Sequence, residues 1–180
     1  MKRTTLFILS ALLVFAWSCK SPYGSKLKDP FSGNRYESNN RFFRAVGKAQ
    51  SRDEQIAMKK ADVQARASLA GQVETQIKEI ADDYFVQTDY EDKNEITGKF
   101  QSLTRAVVNT KIGEIRKIGE EKYFNDQEYT VFIAYDIKKK DLYEYLKEHA
   151  QNNGQKQNLT AQEKKMINEM LQQQIDQLED

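Results

Sequence analysis

The 180-residue sequence predicts an α+β fold. The expected form is a small, mainly antiparallel sheet of about three strands, packed on a long alanine-rich helix and a second helix, with a polar helix at the C-terminus. Three observations predict it. Segments 41–49 and 129–137 alternate side chains with the period of two that marks a strand. An apolar stripe spaced by fours and threes runs from Ala57 to Tyr84. The length also suits roughly one domain of ordinary size.

The chain opens with Lys2 and Arg3, then the uncharged ten-residue segment Leu6–Phe15, interrupted only by Ser10. A helix crossing a bilayer core of about 30 Å needs about 20 such residues, so this segment suits the apolar region of a secretory signal instead. Ala16-Trp17-Ser18-Cys19 follows. Residues 1–18 resemble a bacterial lipoprotein signal, in which cleavage precedes a cysteine that then becomes lipid-modified. Trp17 is bulkier than that pattern usually holds, and Ala16 stands where Leu is common. The alternative is a soluble secreted protein with a chance cysteine there.

The resemblance implies that Cys19 is the lipid-attachment residue, with its thiol consumed as a thioether. One acyl chain anchors only marginally at about 0.8 kcal/mol per buried CH₂, whereas two or three chains hold firmly. Lys20, in place of Asp, implies the outer membrane, with the protein expected to face the periplasm. Removal of residues 1–18 takes Lys2 and Arg3 away, so the formal charge falls from +1 to −1, and the only Trp is lost.

Residues 19–40 read as a lipid-anchored, flexible linker. They hold both prolines and two of the eight glycines, and show no period. Such a coil would hold the domain on the order of 25 Å from the membrane.

The domain proper is expected at 41–150. In strand 41–49, Phe42, Arg44, Val46 and Lys48 share one face, and Phe43, Ala45, Gly47 and Ala49 the other. Ser51 and Glu54 have capping-box spacing. A long helix over 52–84 then presents Ala57, Ala61, Ala65, Leu69, Val73, Ile77, Ile80 and Tyr84. A stripe without bulk can approach a sheet closely, and the small face Ala45/Gly47/Ala49 is the surface expected to meet it. Residues 82–95 are acidic and aperiodic. Asn94 is a candidate cap for a second helix carrying Ile96, Phe100, Leu103 and Val107. Ile112, Ile115 and Ile118 lead into a strand ending near Phe124, and Asn125-Asp126-Gln127 has turn chemistry. Strand 129–137 carries aromatics on both faces and is expected to be central. Leu142, Tyr145 and Leu146 mark a short helix, giving the order β-α-α-β-β-α.

Residues 151–180 form the polar amphipathic tail. Thr160 and Glu163 make a second capping box, and Ile167, Met170, Leu171, Ile175 and Leu178 line one narrow face interrupted by Gln174. Three fates compete: packing on its own domain, pairing with another helix, or fraying. Isolated helices of about 20 residues are marginal, which favours a packed partner.

The stretch VGKAQSRDEQIAMKKADVQARASLAGQVETQI, residues 46–77, is similar to the LPP20-type bacterial outer-membrane lipoproteins. The features that carry the likeness are a strand ending Val46-Gly47-x-Ala49 and a helix with Ala57, Ala61, Ala65, Arg66, Leu69, Ala70, Val73 and Ile77. The 129–137 strand occupies the place of that family's closing strand. The likeness covers roughly residues 41–140 and does not extend beyond Gly154. It implies an envelope-associated protein with a structural or assembly role, some members resembling parts of the outer-membrane disk around a bacterial flagellar motor. It carries over no catalytic residue, and Cys19 is the only functional position it transfers.

Composition narrows the chemistry. One cysteine excludes an intramolecular disulfide. A Cys/His zinc site needs about four ligands, and only Cys19 and His149 are soft candidates. The near-zero net charge argues against a nucleic-acid partner, and no cofactor is expected. His149 sits near a helix C-terminus, where the dipole stabilises a cation; no Ser or Cys nucleophile is spaced to pair with it. Asp82, Asp83, Asp89, Glu91, Asp92 and Glu95 lack the glycine and ligand order of an EF-hand and read as a solvated loop rather than a cation site. Lys138, Lys139 and Lys140 read as a solvated strand end more than a headgroup contact. Tyr143 and Tyr145 suit an interface or core packing alike.

The expected function is that of a non-enzymatic, lipid-anchored envelope protein that binds another envelope component or itself, with the C-terminal helix as one candidate surface. A second reading is a periplasm-spanning lipoprotein activator of a cell-wall synthase, motivated only by the linker. A third, an enzyme built on an Asp/Glu pair such as a glycosidase, lacks an obvious cleft in a domain of this size.

Overall fold

The computed structural model describes residues 28–87, 93–111, 115–153 and 158–179. Residues 1–18, Cys19 and the first part of the linker lie outside them. The elements follow the order β1 (Phe42–Ser51), α1 (Glu54–Gln87), α2 (Lys93–Lys111), β2 (Arg116–Phe124), β3 (Tyr129–Lys138), α3 (Lys139–Asn153) and α4 (Ala161–Gln177). The fold is α+β, as expected. All pairings are antiparallel and the strand order is β1-β3-β2, with β3 in the centre.

Strand β1 alternates as its sequence does. Phe43 and Ala45 are buried toward the helices, and Lys48 points away over the ring of Phe132. Gly47 marks the closest approach of sheet and helix. A Cβ there would lie 2.0 Å from the Ala61 carbonyl oxygen and 2.7 Å from the Ala65 nitrogen. The alanines of α1 make this approach possible: Ala57, Ala61 and Ala65 are all fully buried. Further along, Leu69, Val73, Ile77 and Ile80 fill the widening gap.

The start of α1 differs from the expected capping box. Ser51 is the last residue of β1, held in register opposite Tyr129. Its hydroxyl accepts from the Asp53 N–H at 3.2 Å, while Asp53 Oδ1 accepts from the Ile56 N–H at 2.9 Å. Asp53 is therefore the cap, because Ser51 is committed to the sheet. Glu54 is released from any capping duty and instead binds Lys122 at 2.8 Å. The helix also runs three residues past the expected end at Tyr84, since Ala81 and Phe85 continue its buried stripe.

Helix α2 buries Ile96, Phe100, Leu103 and Val107 as expected. Asn94 is the second residue of the helix rather than its cap, a two-residue offset within the usual play of helix ends. Ile112 falls outside the described residues. Strand β2 is an irregular edge: its register shifts between Lys117 and Gly119, leaving Ile118 in a bulge. The β2–β3 turn is built on Asn125, whose side-chain oxygen accepts from the N–H groups of Gln127 and Glu128, with Asp126 at φ 66°.

Helix α3 starts directly after β3 and buries Leu142, Tyr143, Leu146 and Ala150. The C-terminal helix packs on its own domain, the first of its three possible fates. Met166, Ile167, Met170, Leu171 and Ile175 are buried, and Tyr84 of α1 donates to Glu169 at 3.0 Å. Its capping box of Thr160 and Glu163 is present as read.

The helices cover one face of the sheet. The opposite face carries part of the segment expected to be a flexible linker. Phe31 lies across Gly119, where a Cβ would come within 2.6 Å of the ring. Phe31 also packs against Tyr36 at 4.9 Å between ring centroids. Asp29 pairs with Lys48 at 3.3 Å. Ser38 accepts from the Arg44 N–H at 2.8 Å and donates to the Arg44 carbonyl at 3.1 Å. Residues 28–40 thus form a strap that lies on the outer sheet face at Phe31 and ends along the β1 edge, where Ser38 also meets Gln72 of α1, a path that no periodicity could announce.

Candidate functional site

The described residues offer two places where polar chemistry concentrates, and neither was singled out from the sequence. The first is a belt where α1 faces β2 and β3. Positions 62 and 66 lie one helical turn apart on the flank of α1 that looks toward β3, and Tyr135 projects to the same side. The Tyr135 hydroxyl donates to Asp62 Oδ1. Arg66 Nε donates to both Asp62 oxygens at 3.0 and 2.9 Å, and its terminal nitrogen reaches the Tyr135 hydroxyl at 3.2 Å. The guanidinium lies 4.7 Å from the centre of the Tyr135 ring.

The belt continues along β2. Lys117 pairs with Glu120 at 2.5 Å, Glu120 with Lys122 at 3.4 Å, and Lys122 with Glu54. Burial pushes the Asp62 carboxyl up, but hydrogen bonds from Arg66 and Tyr135 and the charges of Arg66 and Lys117 outweigh it, leaving the group below its ordinary value. Burial and the bond to Asp62 push Tyr135 up. At neutral pH the belt therefore holds a carboxylate, a neutral phenol and a guanidinium that satisfy one another. That arrangement clamps α1 to the sheet and presents no activated nucleophile.

The second place is a groove of about 540 Å³ at the end of the sheet, walled by Phe42, Ile115, Ile137, Leu142 and Tyr145. Asp136, 3% exposed, sits in it and accepts a bidentate pair of bonds from Arg116 at 2.9 and 2.6 Å. Lys138 and Asp141, themselves paired at 3.2 Å, line its rim.

The residues singled out from the sequence are scattered. Cys19 lies outside the described residues, as do Asp89, Glu91 and Asp92 of the acidic stretch. Asp82 and Asp83 are exposed, and Glu95 pairs with Lys99 at 2.8 Å. Among the described residues no group of three or more His, Cys, Asp or Glu side chains is placed to hold a metal ion. His149 stacks on Tyr145 at 6.1 Å.

The three consecutive lysines point to different partners. Lys138 goes to Asp141 and Lys140 to Glu179, while Lys139 lies over the Phe43 ring at 4.6 Å. Burial holds Lys139 below the usual lysine range. Tyr143 is a core residue whose hydroxyl is pushed well up by burial, and Tyr145 is only partly buried.

The signal that could have exposed the belt was present in sequence: Asp62 and Arg66 at i and i+4 beside an alanine stripe. Its third member, Tyr135, is separated by 69 residues and becomes visible only when β3 is placed. No family model, curated protein or solved structure matches the chain.

Proposed function

We propose that the protein is a lipid-anchored cell-envelope module with a non-enzymatic structural, assembly or protein-binding role, held at the periplasmic side of the outer membrane through Cys19. The observation that carries this reading is the uncharged segment Leu6–Phe15 running into Ala-Trp-Ser before the only cysteine of the chain. The structure adds support of a second kind. The carboxylates and cations of the belt and the groove are engaged with one another, which suits a rigid scaffold. No helix among the described residues is long and apolar enough to cross a membrane.

The LPP20-type likeness is part of the same proposal. Its alanine ladder matches the stripe that brings α1 onto Gly47, and its Arg66 matches the residue that clamps Tyr135. Self-association through the apolar face of α4 loses its basis, because that face is buried against the protein's own helices. A synthase activator reaching across the periplasm loses its motivation as well. With residues 28–40 docked on the sheet, only residues 20–27 separate Cys19 from the domain, a reach of about 30 Å even when fully extended.

The test is metabolic labelling with a fatty acid. Label is expected on the wild type and absent from Cys19→Ser; label retained by the variant would overturn the anchor. Crosslinking in intact cells, followed by identification of the captured species, then distinguishes an envelope protein from a second copy.

A further inference from the structure

Of the consecutive lysines that close β3 and open α3, the middle one stands apart. Lys138 pairs with Asp141, and Lys140 with Glu144 and Glu179. Lys139 has no carboxylate partner among the described residues. Its Nζ donates to Gln76 Oε1 at 3.4 Å and lies 4.6 Å from the centre of the Phe43 ring. Its backbone N–H donates to the Arg41 carbonyl at 2.9 Å, which pins the first residue of α3 beside the start of β1.

The Lys139 side chain lines a groove of about 390 Å³ between α1, the start of β1 and the start of α3. Phe43 is its apolar wall. Gly71 leaves it open, since a Cβ there would meet nothing within 4 Å. The other polar groups of the groove are bonded among themselves: Ser38 to Gln72, Thr75 to the Gly71 carbonyl, and Gln76 to Glu79. The amine is therefore the groove's reactive group. Two titratable groups lie beside it. Glu79 of α1 carries the charge that favours the ammonium, and Tyr143, one turn along α3, is kept neutral by burial. From the strap and β1 the groove receives only Ser38 and Phe43, neither of which titrates. Burial outweighs Glu79 and holds the amine below the usual lysine range.

We infer that Lys139 is a reactive amine that takes small aldehydes as imines. The neutral nitrogen attacks the aldehyde carbon and the C–N bond forms. The nitrogen's hydrogens then leave with the carbonyl oxygen as water, and C=N remains. A desolvated lysine against an apolar wall is the setting that activates amines for this step. The groove is of a size that holds a small organic molecule. The site asks nothing of the lipid anchor and is the same in an anchored or a free chain.

The experiment treats the purified protein near neutral pH with limiting acetaldehyde and cyanoborohydride. The hydride reduces imines and leaves an ethyl group on each amine that formed one. Peptide mass spectrometry reads the ethylated fraction at every lysine. Lys139 is expected to carry several-fold more label than Lys138 and Lys140, because each pKa unit of depression gives about tenfold more neutral amine. The excess should shrink as the pH rises toward about 10, where the neighbours also lose their protons. It should vanish in protein unfolded by guanidinium. Glu79→Gln, an exposed change on α1, removes the charge that favours the ammonium and should raise the label at 139 further, with Lys138 unchanged.

Label at Lys139 no greater than at its neighbours would overturn the assignment. So would an excess that survives unfolding, since the groove would then not be its cause. A Glu79→Gln variant with no more label at 139 than the wild type would do the same.

Discussion

Two glycines show how differently the same substitution acts. At Gly47 an added methyl meets backbone atoms of α1, which cannot turn aside. Gly47→Ala is expected to cost about 1–3 kcal/mol by overpacking, lowering the melting temperature by about 2–4 °C per kcal/mol. At Gly119 the methyl meets the Phe31 ring, which can swing away. Gly119→Ala should leave the melting temperature nearly unchanged while making residues 28–38 far more open to limited proteolysis. Calorimetry and a protease time course separate the two outcomes. Gly47 was legible in the sequence, because it sits in a small face before an alanine ladder. Gly119 was not, because its partner Phe31 lies in a segment without a period.

Asp62 gives the pH dependence of the belt. Its folded-state pKa is depressed below the ordinary 3.8, so its contribution is complete above that value and is lost as pH falls through the folded one. The wild type should therefore exceed Asp62→Asn in stability at neutral pH, with the gap closing below about pH 4 as the carboxyl protonates. Denaturant titrations over that window measure it, and a gap that does not narrow as pH falls below 4 would show that geometry rather than charge holds the clamp.

At the scale of elements, the strands and helices were legible wherever a stripe was unbroken, and the two capping motifs show why local patterns mislead. Ser51/Glu54 and Thr160/Glu163 have the same spacing, yet only the second forms. Ser51 is held opposite Tyr129 in the sheet, whereas Thr160 follows a loop and is free to cap. Tertiary commitment decided between identical local signals. The C-terminal helix was ambiguous for a related reason: its narrow face becomes sufficient only because α3 supplies a matching one. Leu171, fully buried there, is expected to cost 2–5 kcal/mol as Leu171→Ala, roughly as for other core truncations. The same variant should speed hydrogen exchange in α3, where Leu146 and Tyr143 are buried. Protection of α3 unchanged by the variant would mean that α4 is an appendage and not part of the core.

At the scale of the molecule, the strap sets how far the domain stands from its anchor. Phe31 is held at φ 57°, a left-handed conformation costing a non-glycine residue about 1–2 kcal/mol. Its packing on Gly119 and Tyr36, with the Asp29–Lys48 pair, offsets that cost. Releasing the strap lengthens the free tether from residues 20–27 to residues 20–40, raising the fully extended reach from about 30 Å to about 70 Å. Phe31→Ala, which removes the ring and spares the sheet, is expected to let the domain rise from the surface. The readout is energy transfer from a donor on Val86→Cys to acceptors in the bilayer of vesicles bearing the lipidated protein. Transfer should drop in Phe31→Ala relative to the wild type and drop equally in Gly119→Ala, two changes on opposite sides of one contact. If both variants keep the wild-type transfer while their straps become protease-sensitive, the distance from the membrane is not set by the length of the tether.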